Sequence, residues 1–261
     1  MSRNSAAPVT YLAAASAKSH RGGAFVVIVR SKEELLRWSR RPERGVQWLQ
    51  VEGLLRDADT WAMAAQYGSD LPLDVILTDP AREFSDLYRL ADARIVRDVR
   101  VTMHVRPGFT KALRLATSLQ LPVRLLPGQP SAEALAEMDA ALGFYLHDPM
   151  AEAPVEFFHS LLMTLRGSRS VTLWTILEED PGEFVRAGDR RPPDFVETQL
   201  AALIGQETEC ATCRWRTVCA GYFKWPDPAY SCAGVQRLFA SIDSAADEIG
   251  RDLAAFPGAT S

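Results

Sequence analysis

The chain has 261 residues, 47% hydrophobic and 24% charged, with a formal net charge of −4 and a pI near 5.7. That length buries a full-sized core, as one large domain or as a larger domain with a small appendage. The acidic balance argues against a dedicated nucleic-acid binder, which carries a basic face. No run approaches the ~18 apolar residues of a membrane span, so no membrane association is expected.

The first 22 residues hold an Ala-rich stretch broken by Pro8 and Thr10 and preceded by a single arginine. It is too weak for a signal peptide and reads as a flexible lead-in, which places the chain in the reducing cytoplasm. From residue 23 the pattern becomes regular. AFVVIVR (24–30) is a continuous, β-branched apolar run of the kind buried on both faces of a sheet. SKEELLRWSRR follows, with Ser31 and Glu34 spaced as a capping box and Leu35, Leu36 and Trp38 on the apolar face. Its end runs into Arg37, Arg40, Arg41 and Arg44, which read as a solvated helix end.

The alternation then repeats. Strands are predicted at 46–52, 73–79, 99–105 and 121–126, and helices at 59–68, 84–93, 109–119 and 131–146. A further helix is expected at 155–167 and a sixth strand at 170–180. Short connections between alternating strands and helices imply parallel strands with right-handed crossovers. The expected fold is therefore α/β, a partial (β/α)6-type barrel over 23–180, with a closed barrel or an open doubly wound sheet as alternatives. The turn-rich stretch 181–208 reads as a linker ending in a short helix, with Asp194 as N-cap, Glu197 in its first turn and Gly205 as its stop. Residues 209–261 make a cysteine-rich subdomain closed by an amphipathic helix from Ala233, with Val235, Leu238, Phe239, Ile242, Ala246, Ile249 and Leu253 at helical spacing.

All four cysteines fall in this last block, as Cys210-x2-Cys213-x5-Cys219-x12-Cys232. In a reducing compartment such a cluster points to metal ligation rather than disulfides. Structural zinc sites pair two short knuckles, and only one is present, whereas an iron–sulfur cubane takes four thiolates at more varied spacing. Spacing favours iron–sulfur and leaves Zn2+ as the alternative. Arg214, Arg216 and Lys224 are placed to offset the negative charge of a tetrathiolate centre. Trp215, Tyr222, Phe223, Trp225 and Tyr230 either wrap that centre or face a partner.

The run Cys210-x2-Cys213-x5-Cys219 followed by AGYF and a distal Cys232 resembles the SPASM domain of the radical S-adenosylmethionine superfamily, which holds auxiliary [4Fe–4S] clusters. The resemblance implies that Cys210, Cys213, Cys219 and Cys232 bind one such cluster. The second auxiliary cluster of that domain would be missing, because Phe223 stands where its own cysteine falls. The superfamily's radical-generating C-x3-C-x2-C after the first barrel strand is also missing, since AFVVIVRSKEELLRWSRR has no cysteine. What the resemblance implies is a non-radical accessory protein in the maturation of ribosomally made peptides, with a peptide-modifying enzyme or a precursor peptide as partner.

Walker, G-x-G-x-x-G, H-E-x-x-H and G-x-S-x-G motifs are absent. In a barrel, functional groups lie at the C-terminal ends of strands, which singles out Glu52, Asp79, Arg106 and Glu178, with His104 just before. These are the candidate catalytic residues of an alternative reading: an enzyme working at the barrel mouth with a purely structural metal. A zinc-stapled interaction module is the remaining alternative. His159, among core-type residues, reads as a core histidine, and His147 offers no stronger case.

Overall fold

The computed structural model describes residues 7–66, 70–168 and 171–255. Its strands are β1 (Val9–Ala13), β2 (Phe25–Val29), β3 (Val46–Glu52), β4 (Leu73–Leu77), β5 (Val99–His104), β6 (Val123–Leu126) and β7 (Phe184–Arg186). They form one parallel sheet in the order β6-β5-β4-β3-β2-β1-β7, curled as a half-barrel whose edges, β6 and β7, do not pair. The fold is α/β, as expected. Short helices α1 (Ala14–Ala17), α4 (Pro80–Glu83), α9 (Leu173–Ile176) and α11 (Arg216–Cys219) punctuate the connections. The longer helices are α2 (Lys32–Arg40), α3 (Ala58–Gln66), α5 (Ala91–Val96), α6 (Phe109–Ser118), α7 (Ala132–His147), α8 (Glu156–Leu165), α10 (Phe195–Gly205) and α12 (Ala233–Ala255).

Two-residue alternation divides each strand between two environments. Val27, Leu49, Val75, Val101, Met103 and Leu125 join the main apolar core with the helices. The intervening residues face the concave side, the lumen; these include the polar Gln50, Asp74, Arg100, Thr102 and Arg124 on β3 to β6, beside apolar Val26 and Ile28 on β2 and Ile76 on β4. Register sets Gln50 beside Asp74 and Asp74 beside Arg100, and one row further on Thr102 beside Arg124. Helix starts follow local chemistry. Ser31 Oγ accepts from Glu34 N at 3.2 Å, while Glu34 Oε2 accepts from Arg30 N at 2.8 Å.

Three expectations need correction. The segment expected to be a flexible lead-in supplies β1, which lies between β2 and β7 with Tyr11 fully buried; residues 1–6 lie outside the described residues. The sixth strand expected at 170–180 is instead the turn of helix α9, with residue 170 undescribed. Leu173, Trp174 and Leu177 bury at helical spacing there, and the Trp174 indole N–H donates to Ala220 O at 2.9 Å, so tertiary packing overrides the strand-like run. The stretch expected as linker contributes β7, whose backbone pairs with β1.

Smaller differences follow the same logic. The helix expected at 84–93 is a 3₁₀ segment, Phe84–Leu90, leading into α5. The last two residues of the helix expected at 59–68 lie outside the described residues. Helix α12 begins at Ala233 as predicted and buries Val235, Leu238, Phe239, Ile242 and Ala246, but Leu253 is exposed. It packs on α7 and α8, so its apolar face continues the main core. His159 is exposed rather than in the core, its Nδ1 3.4 Å from Tyr145 Oη.

Candidate metal centre and the half-barrel lumen

The cysteine block is a succession of tight turns laid against α12. Thr208 caps the turn Glu209–Ala211 that carries Cys210, and α11 carries Cys219. Ala220 and Gly221 then both adopt left-handed backbone, with φ of 47° and 74°. A Cβ at Gly221 would sit 2.9 Å from Leu203 Cδ1, so glycine is required there on steric as well as conformational grounds. Past this reversal the backbone N–H groups of Tyr222 and Phe223 donate to the Cys219 sulfur. Cys232 immediately precedes α12, and its N–H donates to Glu209 Oε2 at 2.9 Å, tying the two ends of the block together.

The outcome is that Cys210, Cys213, Cys219 and Cys232 line one cavity, walled also by Trp215, Phe239, Arg216 and Lys224. All four cysteines are free, with Cys210 and Cys232 buried and the other two half-buried. Lys224, only 5% exposed, pairs with Glu209 at 3.3 Å and donates to Tyr230 O at 2.6 Å. Arg216 donates to Ala211 O at 2.9 Å. Arg214, expected to help balance a centre's charge, instead pairs with Asp243 of α12 at 3.2 Å and stacks on Trp215.

Burial pushes the Cys219 thiol up to about 11 and the Cys232 thiol up to about 12, and raises that of Cys210. With nothing bound, these three are neutral thiols at pH 7. They therefore lack the depressed pKa of a catalytic nucleophile. A cationic centre would displace their protons, and N–H donors aimed at sulfur together with a buried lysine suit the thiolates so formed. Among the described residues no three His, Cys, Asp or Glu side chains converge as ligands of one metal ion.

The aromatic residues divide their labour. Trp215 walls the cavity, but Tyr222 and Phe223 are buried against Trp174 and Phe239 and dock the block onto the rest of the fold. Phe223 is fully buried. Trp225 is 41% exposed, and Tyr230 Oη donates to Pro130 O at 2.7 Å.

The lumen is the second polar region. Asp74 meets Arg100 at 2.9 Å and Arg124 at 3.0 Å, and accepts from Thr102 Oγ1. Glu178 pairs with Arg100 at 2.9 Å and with Arg124, and accepts from Tyr11 Oη. Arg100 also reaches Glu156 at 3.2 Å. Glu178 thus joins β1 to β5 and β6 across the open side of the half-barrel. Its backbone φ of 56° lies in the left-handed region, which glycine would occupy at less cost. Burial pushes the Asp74 carboxyl up, but the Arg124 and Arg100 guanidiniums outweigh it and hold the group below its usual range. Burial pushes His104 down, with Arg106 and Arg124 adding to the effect.

Of the four strand-end candidates, only Glu178 enters this network, and it does so from the turn after α9. Glu52 pairs with Arg30 at 2.7 Å, Asp79 with Arg82 at 3.6 Å, and Arg106 is exposed. No hydrogen bond or ion pair joins any two of the four among the described residues. Sequence reasoning missed Asp74, Arg100, Arg124 and Tyr11. A signal was present: LDVIL, VRVTMH and VRLL each carry a lone charge at an inward position of an otherwise buried strand.

No protein-family profile, characterised protein or solved structure matches the chain. Among the described residues no helix is long and apolar enough to cross a membrane.

Proposed function

We propose that the chain is a non-radical iron–sulfur protein: Cys210, Cys213, Cys219 and Cys232 hold one [4Fe–4S] cluster in a SPASM-like C-terminal subdomain. The rest of the chain acts as an accessory to a peptide-modifying enzyme or its precursor peptide in the cytoplasm. The observation that carries the cluster reading is the gathering of all four cysteines around one cavity, with N–H donors on Cys219 and a buried lysine beside them. When bound, such a cluster supplies electron transfer or a rigid crosslink, and a thiolate on every iron leaves no coordination site for a substrate.

Two further observations favour an accessory over a radical enzyme. The connection after β1, residues 14–24, has no cysteine, and neither has the connection after β2. The lumen, where a barrel enzyme would keep polar groups free for its substrate, has its buried charges paired with one another. Partner identity rests on the resemblance alone.

Purification without oxygen tests the cluster. Broad absorbance near ~400 nm with about four irons and four sulfides per chain is the expected result, and Cys219→Ser should lose most of that iron. One zinc per chain, with neither colour nor iron, would overturn the reading and favour a zinc-stapled interaction module.

A further inference from the structure

Two charged side chains that line the thiol cavity, Lys224 and Glu209, have opposite signs and unequal burial. Lys224 is 5% exposed; its Nζ donates to Tyr230 O at 2.6 Å and lies 3.3 Å from Glu209 Oε2. The Glu209 side chain is 41% exposed, and the same Oε2 accepts from Cys232 N at 2.9 Å. Glu209 also immediately precedes Cys210, so one carboxylate adjoins a cysteine at each end of the block.

Taking an ammonium out of water is costly unless negative charge compensates it. A carboxylate as exposed as Glu209 gives attraction that solvent screens, and neutral thiols give none. A hydrogen bond to Tyr230 O alone would be met by a neutral donor. The charge of Lys224 acquires a role once the thiols are thiolates around an iron–sulfur centre, whose potential follows its net charge, the hydrogen bonds to its sulfurs and its exposure. The other arginines of the block serve this less well. Arg214 is turned away to Asp243, and Arg216, which donates to Ala211 O, is less buried than Lys224.

We infer that Lys224 and Glu209 form an opposed pair that sets the reduction potential of the centre held by the four cysteines, Lys224 raising it and Glu209 lowering it by less. This rests on the iron–sulfur reading above and adds the residues that tune it. Lys224 favours the form carrying one more electron, taken from a one-electron donor, and Glu209 opposes that form. Around a buried ammonium the attraction is weakly screened, whereas water screens the carboxylate. The two effects therefore differ in size as well as in sign.

The test uses the full chain purified without oxygen and titrated with dithionite at controlled potential. Absorbance near ~400 nm and electron paramagnetic resonance follow the centre, and iron is counted per chain. Lys224→Met keeps the length of the stem and removes the charge. At a fixed solution potential it should lower the ratio of reduced to oxidised centre at least about tenfold, which is about 59 mV for one electron. Lys224→Arg, which keeps the charge, should recover most of that loss. Glu209→Gln, whose amide oxygen still accepts from Cys232 N–H, should raise the ratio by a smaller factor. Should Lys224→Met hold no iron, Glu209→Gln decides alone. The inference is overturned, with the cluster reading intact, by a Lys224→Met centre of wild-type potential or by a Glu209→Gln centre whose potential falls or stays in place. A wild-type centre that dithionite leaves oxidised overturns it equally. Wild-type protein with zinc and neither iron nor colour overturns the cluster reading as well.

Discussion

The lumen and the thiol cavity are both gatherings of polar side chains that the fold takes out of water, and they differ in how they are satisfied. In the lumen Asp74 and Glu178 each contact both Arg100 and Arg124, and Tyr11 and Thr102 supply further hydrogen bonds. In the thiol cavity four sulfurs face common space with no disulfide between them, and the cation beside them, Lys224, is engaged with Glu209. A buried cluster whose members satisfy one another needs no ligand to explain it. One that sets four soft donors around shared space is the arrangement a metal guest would use, as proposed above. The lumen is therefore read as structure and the thiol cavity as site.

The most disruptive way to break this contrast is to remove the lumen's central cation. Arg124→Met keeps the stem's volume but leaves Asp74 and Glu178 to share Arg100 inside the fold. Losing one partner of a buried pair costs about 3–5 kcal/mol, and the remaining arginine places this case near the lower figure. Urea unfolding of the wild type and variant measures it. A cost below about 1 kcal/mol would mean that the lumen is hydrated and loosely held, and the reading of the lumen network as structural would fail.

Titration separates the regions by sign. Asp74 is held below its unfolded value of ~3.9. Its contribution is thus present above about pH 4 and is lost as pH falls through the folded value. Cys219 and Cys232 are raised, to about 11 and about 12. Their contribution in metal-free protein is present below the unfolded thiol value of ~8.5 and is lost as pH rises through those values. Denaturant midpoints across both limbs should show an acid loss that Asp74→Asn reduces and an alkaline loss that Cys219→Ser reduces. An alkaline limb unchanged by Cys219→Ser would argue against Cys219 as a protonated, desolvated thiol.

How far the sequence foretold these regions depends on how local their determinants are. The β2 to β5 runs and the start of α12 at Ala233 were legible, because continuous β-branched segments and helical periodicity are properties of one segment. So was the joint placement of the cysteines, which short spacings force. Strand β7 was not, because three residues in a turn-rich stretch become a strand only when β1 offers its edge. Helix α9 was misread because its decisive contact, Trp174 with Ala220, spans 46 residues. The lumen network escaped for a related reason: Asp74, Arg100 and Arg124 look like isolated exceptions until strand register sets them side by side.

The smallest expected effects lie at the strand ends that sequence reasoning favoured as a catalytic mouth. Asp79 is 48% exposed, 3.6 Å from Arg82 one helical turn away, and Arg106 is exposed with its carbonyl accepting from Phe109 N. Exposed pairs of this kind contribute about 0–1 kcal/mol, and surface substitutions stay within about 0.5 kcal/mol. Asp79→Asn and Arg106→Gln should therefore leave the unfolding midpoint and the metal content per chain unchanged, together or singly. The pair of measurements is informative because the two regions answer to different readouts, stability for the lumen and metal for the thiol cavity. A strand-end variant that retained both and yet abolished an activity of the intact protein would move the working site to the mouth. The thiol centre would then be the structural element, and the contrast drawn between the two buried regions would have to be reversed.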